Sequence, residues 1–191
     1  MASGDTNVTI VNQALVLLGS DTISSFSDTT NDAATVANNI YETIKGKTLS
    51  LYPWSFALVK EQLARSTATP VNEWTYLYPL PSTAVSGTAL QVYNSSSTRV
   101  LPIQNYELLY TSSGPAIATN EDNIYIDYVS SVVSEGLMPK YFVQLLVYML
   151  AWHLAEPVTD QITKAEYWRG VALGSLTENG RGGYFRQACN I

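Results

Sequence analysis

The spacing of apolar residues changes twice along this chain, and that change constrains the fold more than any single motif does. Near both ends apolar residues recur every three or four positions, whereas in the middle they alternate with polar ones. The first pattern indicates amphipathic helices and the second indicates β-strands. We therefore predict an α+β protein in which a small β domain is inserted into a helical domain built from both chain ends.

Two helices are expected before the strands. The first has apolar residues at helical spacing: Val8, Val11, Leu15 and Leu18. Gly19 follows as a stop signal. A second helix keeps the same period from a cap near Thr30 or Asn31 until Pro53, because proline cannot continue a helix.

Two more helices are expected after the strands. Pro139 suits the start of a third helix, which has a broad apolar surface and ends at Pro157. A fourth is capped by Thr159 or Asp160 and ends at Asn179. Since no single helix can cover the third one, we predict a four-helix bundle from residues 1–52 and 139–179.

The β domain is predicted over residues 53–138. Trp74, Tyr76, Tyr78 and Leu80 alternate along one segment, and residues 124–129 alternate in the same way. Shorter runs lie at 89–93, 99–103 and 106–110. These segments are too close together for crossover helices, so the strands should be antiparallel.

The last segment, residues 180–191, is predicted to be an extended C-terminal arm. It contains three glycines together with two arginines and an adjacent aromatic pair: Arg181, Tyr184, Phe185 and Arg186. Tyrosine and arginine are common anchors at protein interfaces, so the segment suits docking onto a neighbour. The alternative is a frayed terminus.

The sequence offers little that could catalyse a reaction or hold a cofactor. His153 is the only histidine and Cys189 the only cysteine, which excludes zinc sites of the usual composition. No nucleophile elbow accompanies the serines. Acidic clusters at 28–32 and 120–123 lack the EF-hand pattern and are better explained by helix capping and a hairpin turn. We expect no enzyme, metal or cofactor.

Charge and hydropathy narrow the function further. Only 14% of the residues are charged and the net charge is −6, so tight binding to nucleic acid is disfavoured. A surface poor in charge and rich in tyrosine suits extensive protein contacts. The most apolar stretch, residues 141–155, falls short of the roughly twenty residues needed to span a bilayer, and the N-terminus lacks the pattern of a signal peptide.

Three segments, in fixed order, carry a resemblance to a known family. The second helix leads into Trp54, Phe56 and Ala57, and a strand ends in a Trp-x-Tyr-x-Tyr-x-Leu-Pro-Ser pattern at 74–82. After a hairpin at 106–128, a helix opens with Pro-x-x-Phe and closes with a Leu-Ala-x-x-Leu-Ala pattern and a threonine: Pro139, Phe142, Leu150, Ala151, Leu154, Ala155 and Thr159. From about residue 8 to 176 the chain resembles the head-to-tail adaptor proteins of short-tailed bacteriophages, the tail tubular protein A type. It departs from them at 83–85.

The resemblance implies a structural virion protein, made in the host cytoplasm and located at the head-to-tail interface. Such proteins form a ring of about twelve copies between the portal and the tail nozzle, and DNA passes through the lumen without specific binding. Residues Arg181, Tyr184, Phe185 and Arg186 would belong to the arm that grips the portal. Trp54, Phe56, Trp74, Tyr76 and Tyr78 would pack the β domain.

Two other functions remain open at this point. A monomeric β module could bind carbohydrate or peptide through exposed aromatic residues such as Trp74 and Tyr76, and it would not assemble. An enzyme of unknown type is the third alternative. The sequence has few residues that could serve as acid-base groups or nucleophiles, which argues against it.

Overall fold

The computed structural model describes residues 4–28, 30–70, 73–97 and 100–191, and it has the α+β fold predicted from the sequence. Over these residues there are five α-helices: α1 (Asn7–Leu18), α2 (Asp32–Ser50), α3 (Lys140–Thr159), α4 (Ile162–Leu173) and α5 (Gly183–Ala188). The same residues contain six strands: β1 (Leu58–Gln62), β2 (Tyr76–Pro79), β3 (Gln91–Tyr93), β4 (Tyr106–Thr111), β5 (Gly114–Thr119) and β6 (Tyr125–Val129).

The chain divides into two compact units. The helical unit comprises Met1–Tyr52 together with Val133–Ile191, and the β unit comprises Pro53–Val132. The helices lie in the first and the strands in the second.

Capping fixes where α1 begins and ends. The Thr6 hydroxyl accepts a hydrogen bond from the Thr9 amide, and the Thr9 hydroxyl accepts one from the Thr6 amide. Gly19 takes a left-handed conformation with φ of 73° and terminates the helix. Five residues spaced along one face of α1 are buried: Ile10, Val11, Ala14, Leu15 and Leu18.

Helix α3 is the centre of the helical unit, and it packs against α1, α2, α4 and α5. Phe142, Leu146, Leu150 and Leu154 are fully buried along it. The predicted end at Pro157 is wrong, because the helix continues through this proline to Thr159. A proline in the last turn removes one backbone hydrogen bond, and the packing of the preceding turns outweighs that loss.

The C-terminal segment differs from the extended arm predicted for residues 180–191. The predicted end of the fourth helix at Asn179 is wrong, because α4 ends at Leu173, where Gly174 takes a positive φ of 82°. Helix α5 packs back against α3 and α4. The Gly182 amide donates to the Leu173 carbonyl over 2.9 Å. The glycines that suggested flexibility instead allow two stretches of backbone to approach closely.

The six strands form two antiparallel sheets of three strands each over the described residues, with orders β1-β6-β3 and β2-β5-β4. Tyr78 lies opposite Ile117 in one sheet, and Val92 lies opposite Ile126 in the other. These four residues and Tyr128 pack in one core, so the two sheets share their buried surface. All four strand pairs among the described residues are antiparallel, so the antiparallel prediction is confirmed.

Three details of the β prediction need correction. Trp74 does not share a face with Tyr76 and Tyr78: it packs with Leu77 and Leu109 on the opposite side, because β2 begins only at Tyr76. Residues 100–103 form no strand, and Arg99 lies outside the described residues. Residues 120–123 connect β5 to β6 in a different sheet, so they are not a hairpin turn.

Candidate docking surfaces

The aromatic residues predicted to pack the β domain lie in several environments within the β unit. Trp54 is 1% exposed, and its ring centroid lies 6.3 Å from that of Phe56. The Tyr78 hydroxyl lies 2.9 Å from the carbonyl oxygen of Glu121 and 2.6 Å from that of Asp122. Trp54 and Tyr78 are thus unavailable to a ligand.

Tyr76 and Trp74 are half-buried and each has a polar neighbour. The Arg65 guanidinium lies 4.5 Å from the centroid of the Tyr76 ring, and the Trp74 indole N–H donates to the Glu107 carboxylate over 2.9 Å. Arg65 covers one side of the Tyr76 ring and Trp74 packs against a cluster that contains Leu77, so the two residues do not form an open aromatic platform.

The four residues predicted to grip the portal divide into two pairs. Arg181 and Arg186 are exposed. Phe185 is buried, and the Tyr184 ring meets the Tyr148 ring edge-on with centroids 5.3 Å apart. The aromatic pair therefore holds α5 in place, and the exposed arginines lie on α5 (Arg186) and just before it (Arg181).

Helix α1 leaves an apolar face uncovered. It contains no charged residue, and Val16 and Leu17 on its outer side are 63% and 38% exposed. A groove of about 480 Å³ runs beside them and is also lined by Val147 of α3. A helix with apolar residues on several sides is normally buried, so this face suits contact with another protein.

Three helices meet at Trp152 and form a basic patch, which we define as Lys47, Trp152, His153 and Arg169. The Lys47 ammonium from α2 lies 4.7 Å from the indole centroid, and the Arg169 guanidinium from α4 lies 5.9 Å from it. The His153 ring stacks on the indole with centroids 4.1 Å apart. Cation–π attraction thus collects two cations around one ring.

His153 is neutral in this patch. Burial, together with the nearby positive charge of Lys47, lowers the pKa of His153 from 6.5 to about 4. Its Nε2 atom lies 3.4 Å from the Lys47 ammonium, which can only donate, so Nε2 is the acceptor. The positive charge of the patch comes from Lys47 and Arg169.

The helical unit also has an acidic cleft of about 600 Å³, which we define by its carboxylates: Asp21, Asp28, Asp32 and Asp160. The Asp28 carboxylate accepts hydrogen bonds from the hydroxyl and amide of Thr30, and these lower its pKa. Asp21, Asp32 and Asp160 are exposed, and none of them forms an ion pair with the rest of the described chain.

A buried ion pair lies elsewhere in the helical unit. The Lys45 ammonium is 2.7 Å from a Glu135 carboxylate oxygen, and the Tyr41 hydroxyl donates to the same oxygen over 3.3 Å. Burial favours the neutral form of Glu135, but the Lys45 hydrogen bond and charge together with other hydrogen bonds outweigh it and lower the carboxyl pKa. This network joins α2 to the segment that precedes α3.

The β unit has a groove of about 470 Å³ beside Tyr110, which is 79% exposed. Leu77, Pro79 and Leu109 supply apolar surface, and serine and threonine hydroxyls complete the lining. None of the described residues that line this groove is charged.

The described residues offer no arrangement suited to metal chemistry. They contain no group of three or more histidine, cysteine, aspartate or glutamate side chains placed to hold a metal ion. No helix within the same ranges combines the length and apolar character needed to cross a membrane.

Sequence reasoning did not identify the basic patch or the exposed face of α1. Lys47, Trp152 and Arg169 are far apart in the chain and meet only because α2 and α4 both pack on α3. One sequence feature could have indicated the exposed face of α1: no charged residue lies between Asn7 and Leu18.

No protein-family model and no curated protein sequence matches this chain.

Proposed function

We propose that this protein is the head-to-tail adaptor of a short-tailed bacteriophage, a ring subunit that joins the portal to the tail nozzle around the DNA passage. The ordered segments at 54–57, 74–82 and 139–159 supply the family likeness. The observation that carries the proposal is the uncharged helix α1, whose outer residues Val16 and Leu17 are exposed beside a groove. A permanent assembly would cover this face.

In the proposed ring, α1 to α4 act as one four-helix bundle, and neighbouring bundles pack side by side. Closed rings use heterologous interfaces, in which two different patches of each copy meet. The exposed face of α1 supplies one apolar patch. Ile162 and Tyr167 of α4, which are 61% and 63% exposed, supply a second. The β units would face the tail.

Portal contact is proposed for the C-terminal segment, residues 180–191. Arg181 and Arg186 are exposed and well suited to bidentate pairing with carboxylates of the portal. Tyr184 and Phe185 contribute by anchoring α5 against the rest of the helical unit. The gripping element in this proposal is therefore a short docked helix that contains the exposed Arg186 and is preceded by the exposed Arg181.

Electron microscopy of the purified chain mixed with its portal protein tests the proposal. We expect a second ring of density attached to one face of the portal ring. Portal rings that remain bare, with the chain left free as monomers, would refute the adaptor function.

The groove beside Tyr110 favours one other candidate, a β module that binds a neutral sugar or an uncharged peptide. Trp74 packs against Leu77 and Leu109, which line this groove, so an occupant should change the tryptophan fluorescence. Two results together would favour the module over the adaptor: a saturable fluorescence change when neutral oligosaccharides are added, and a chain that stays monomeric when it is mixed with its portal.

A further inference from the structure

The unpaired cations of this acidic protein are not scattered evenly. In the described ranges, Lys45, Lys60, Arg65 and Lys140 each contact a carboxylate. Five cations form no ion pair with the described residues: Lys47, Lys164, Arg169, Arg181 and Arg186. Two of these, Lys47 and Arg169, gather around Trp152. Because both cations lie over the same indole, a single anionic surface can reach both.

The acidic cleft has the complementary property. Its four carboxylates surround one space, and like charges that close together repel one another. They do not form a metal-holding cluster with the other described residues. A cationic protein surface would relieve the repulsion.

We propose that the basic patch of one copy docks into the acidic cleft of a second copy of this chain. This inference rests on the proposed ring and names one of its interfaces. The two surfaces share no residue and both belong to the helical unit, so the contact joins two different surfaces of the two copies. Such a contact is heterologous, as a ring requires.

The charges at this interface are expected to contribute more to partner selection than to affinity. Exposed charge pairs add little affinity individually, but complementary charges select the partner, fix the register and speed association. The indole of Trp152 adds a flat apolar surface that is half-buried in the free chain. Apolar contacts of α1 would supply most of the remaining affinity.

Charge reversal tests the inference. The first variant combines Lys47→Glu with Arg169→Glu, and the second combines Asp21→Lys with Asp32→Lys. Lys60→Glu and Glu73→Lys are matched controls, since both residues are exposed and belong to the β unit, which carries neither surface. Sedimentation velocity measures self-association over a range of protein concentrations, and circular dichroism checks that each variant is folded.

We expect the wild-type chain to associate at about 0.1 M salt and to dissociate toward monomers at about 1 M, where the screening length falls to about 3 Å. Each reversal variant should associate at least about tenfold more weakly than wild type, while the controls stay within about twofold. A mixture of the two variants should regain association, because the unaltered basic patch of the second variant can dock into the unaltered acidic cleft of the first.

Three results would overturn the inference: no concentration-dependent association of the wild-type chain at low salt, variants that associate like wild type, or reversals that cannot rescue each other. If the first variant fails to fold, the inference can still be refuted, because the second variant is measured on its own. Portal rings that still acquire a second ring with the reversal variants would refute this interface and leave the adaptor function standing.

Discussion

At the scale of single residues, Lys45 is the clearest case of a charge that the fold has to satisfy. It is 7% exposed, and its partner Glu135 lies ninety residues further along the chain. Removing one member of a buried pair leaves the other charge without compensation, which costs more than the pair itself contributes. The network with Tyr41 is therefore a sensitive point of the helical unit.

We predict that Lys45→Met lowers the free energy of unfolding by about 1–3 kcal/mol, because Glu135 is left half-buried beside an apolar side chain. Urea denaturation measures the change. Glu42→Gln is the matched control, since the Glu42 side chain is 74% exposed and its contact with Lys45 is longer, at 3.6 Å. A loss as large in the control as in Lys45→Met would contradict the assignment.

The same network predicts a pH dependence. The pKa of Glu135 is lowered by folding, so its stabilising contribution is complete above the ordinary carboxyl pKa and is lost as the pH falls through the lowered value. In urea titrations at a series of pH values, Glu135→Gln should therefore lose this part of the acid dependence. An unchanged acid limb in the variant would show that other carboxyls account for it.

His153 predicts a second titration effect, which has the same direction as that of Glu135 but begins at a higher pH. Its folded pKa of about 4 lies below the ordinary 6.5, so the unfolded chain binds the proton more readily and stability falls as the pH drops from about 6.5 to about 4. Lys47→Met should raise the His153 pKa part of the way, since burial remains. NMR titration of the imidazole protons checks this, and a pKa that does not move would rule out the influence of Lys47.

At the scale of elements, the packing of α5 is the part of the helical unit that the sequence did not predict. The long helices are predictable because their apolar periodicity spans several turns. The docking of α5 depends on the close approach of the backbone at Gly174, Gly182 and Gly183. The local sequence does not tell whether a glycine makes a segment flexible or lets two segments pack closely. Gly183 has φ of 54°, and a Cβ there would lie 2.6 Å from the Gly174 amide nitrogen.

We predict that Gly183→Ala releases α5 from α3 and α4, at a cost of about 1–3 kcal/mol, because both its backbone conformation and the space for a methyl group are unfavourable. Trypsin cleavage after Arg181 and Arg186 should become faster, and amide exchange in α5 should increase. Gly46→Ala in α2 is the control, since a Cβ at that position meets nothing within 4 Å and should stabilise the helix. Unchanged cleavage in Gly183→Ala would contradict the packing argument.

The β unit shows a similar division between local and non-local information. The alternation at 76–80 and 124–129 is a local signal and predicts strands. Their distribution between two sheets, with β5 and β6 consecutive but unpaired, is a property of non-local pairing. The basic patch was beyond prediction for the same reason, because its residues come from three helices.

At the scale of the whole molecule, the exposed surface is the feature that favours the proposed ring subunit over a self-contained module. Large apolar side chains stay exposed on α1, α4 and the segment around Leu176, which is 75% exposed. Few charges are present to keep copies apart. These properties are typical of a chain whose folding and assembly are coupled to partners.

We predict that Arg181→Glu together with Arg186→Glu weakens portal docking at least about tenfold without changing the thermal midpoint of the isolated chain, because both side chains are exposed. Pull-down with portal rings at low salt measures the binding. The control is Gln187→Glu, which changes the charge of an adjacent exposed position without reversing an arginine. If the double variant docks as tightly as wild type, the portal contact does not depend on Arg181 and Arg186.

The central claim, that this chain is a ring subunit bound to a portal, is tested most directly by the mass of the complex. Native mass spectrometry of portal rings saturated with the chain counts the copies bound. The adaptor account predicts a single dominant species with about one copy per portal subunit, about twelve in a closed ring. A portal mass that does not increase at saturating concentrations of the folded chain would contradict it.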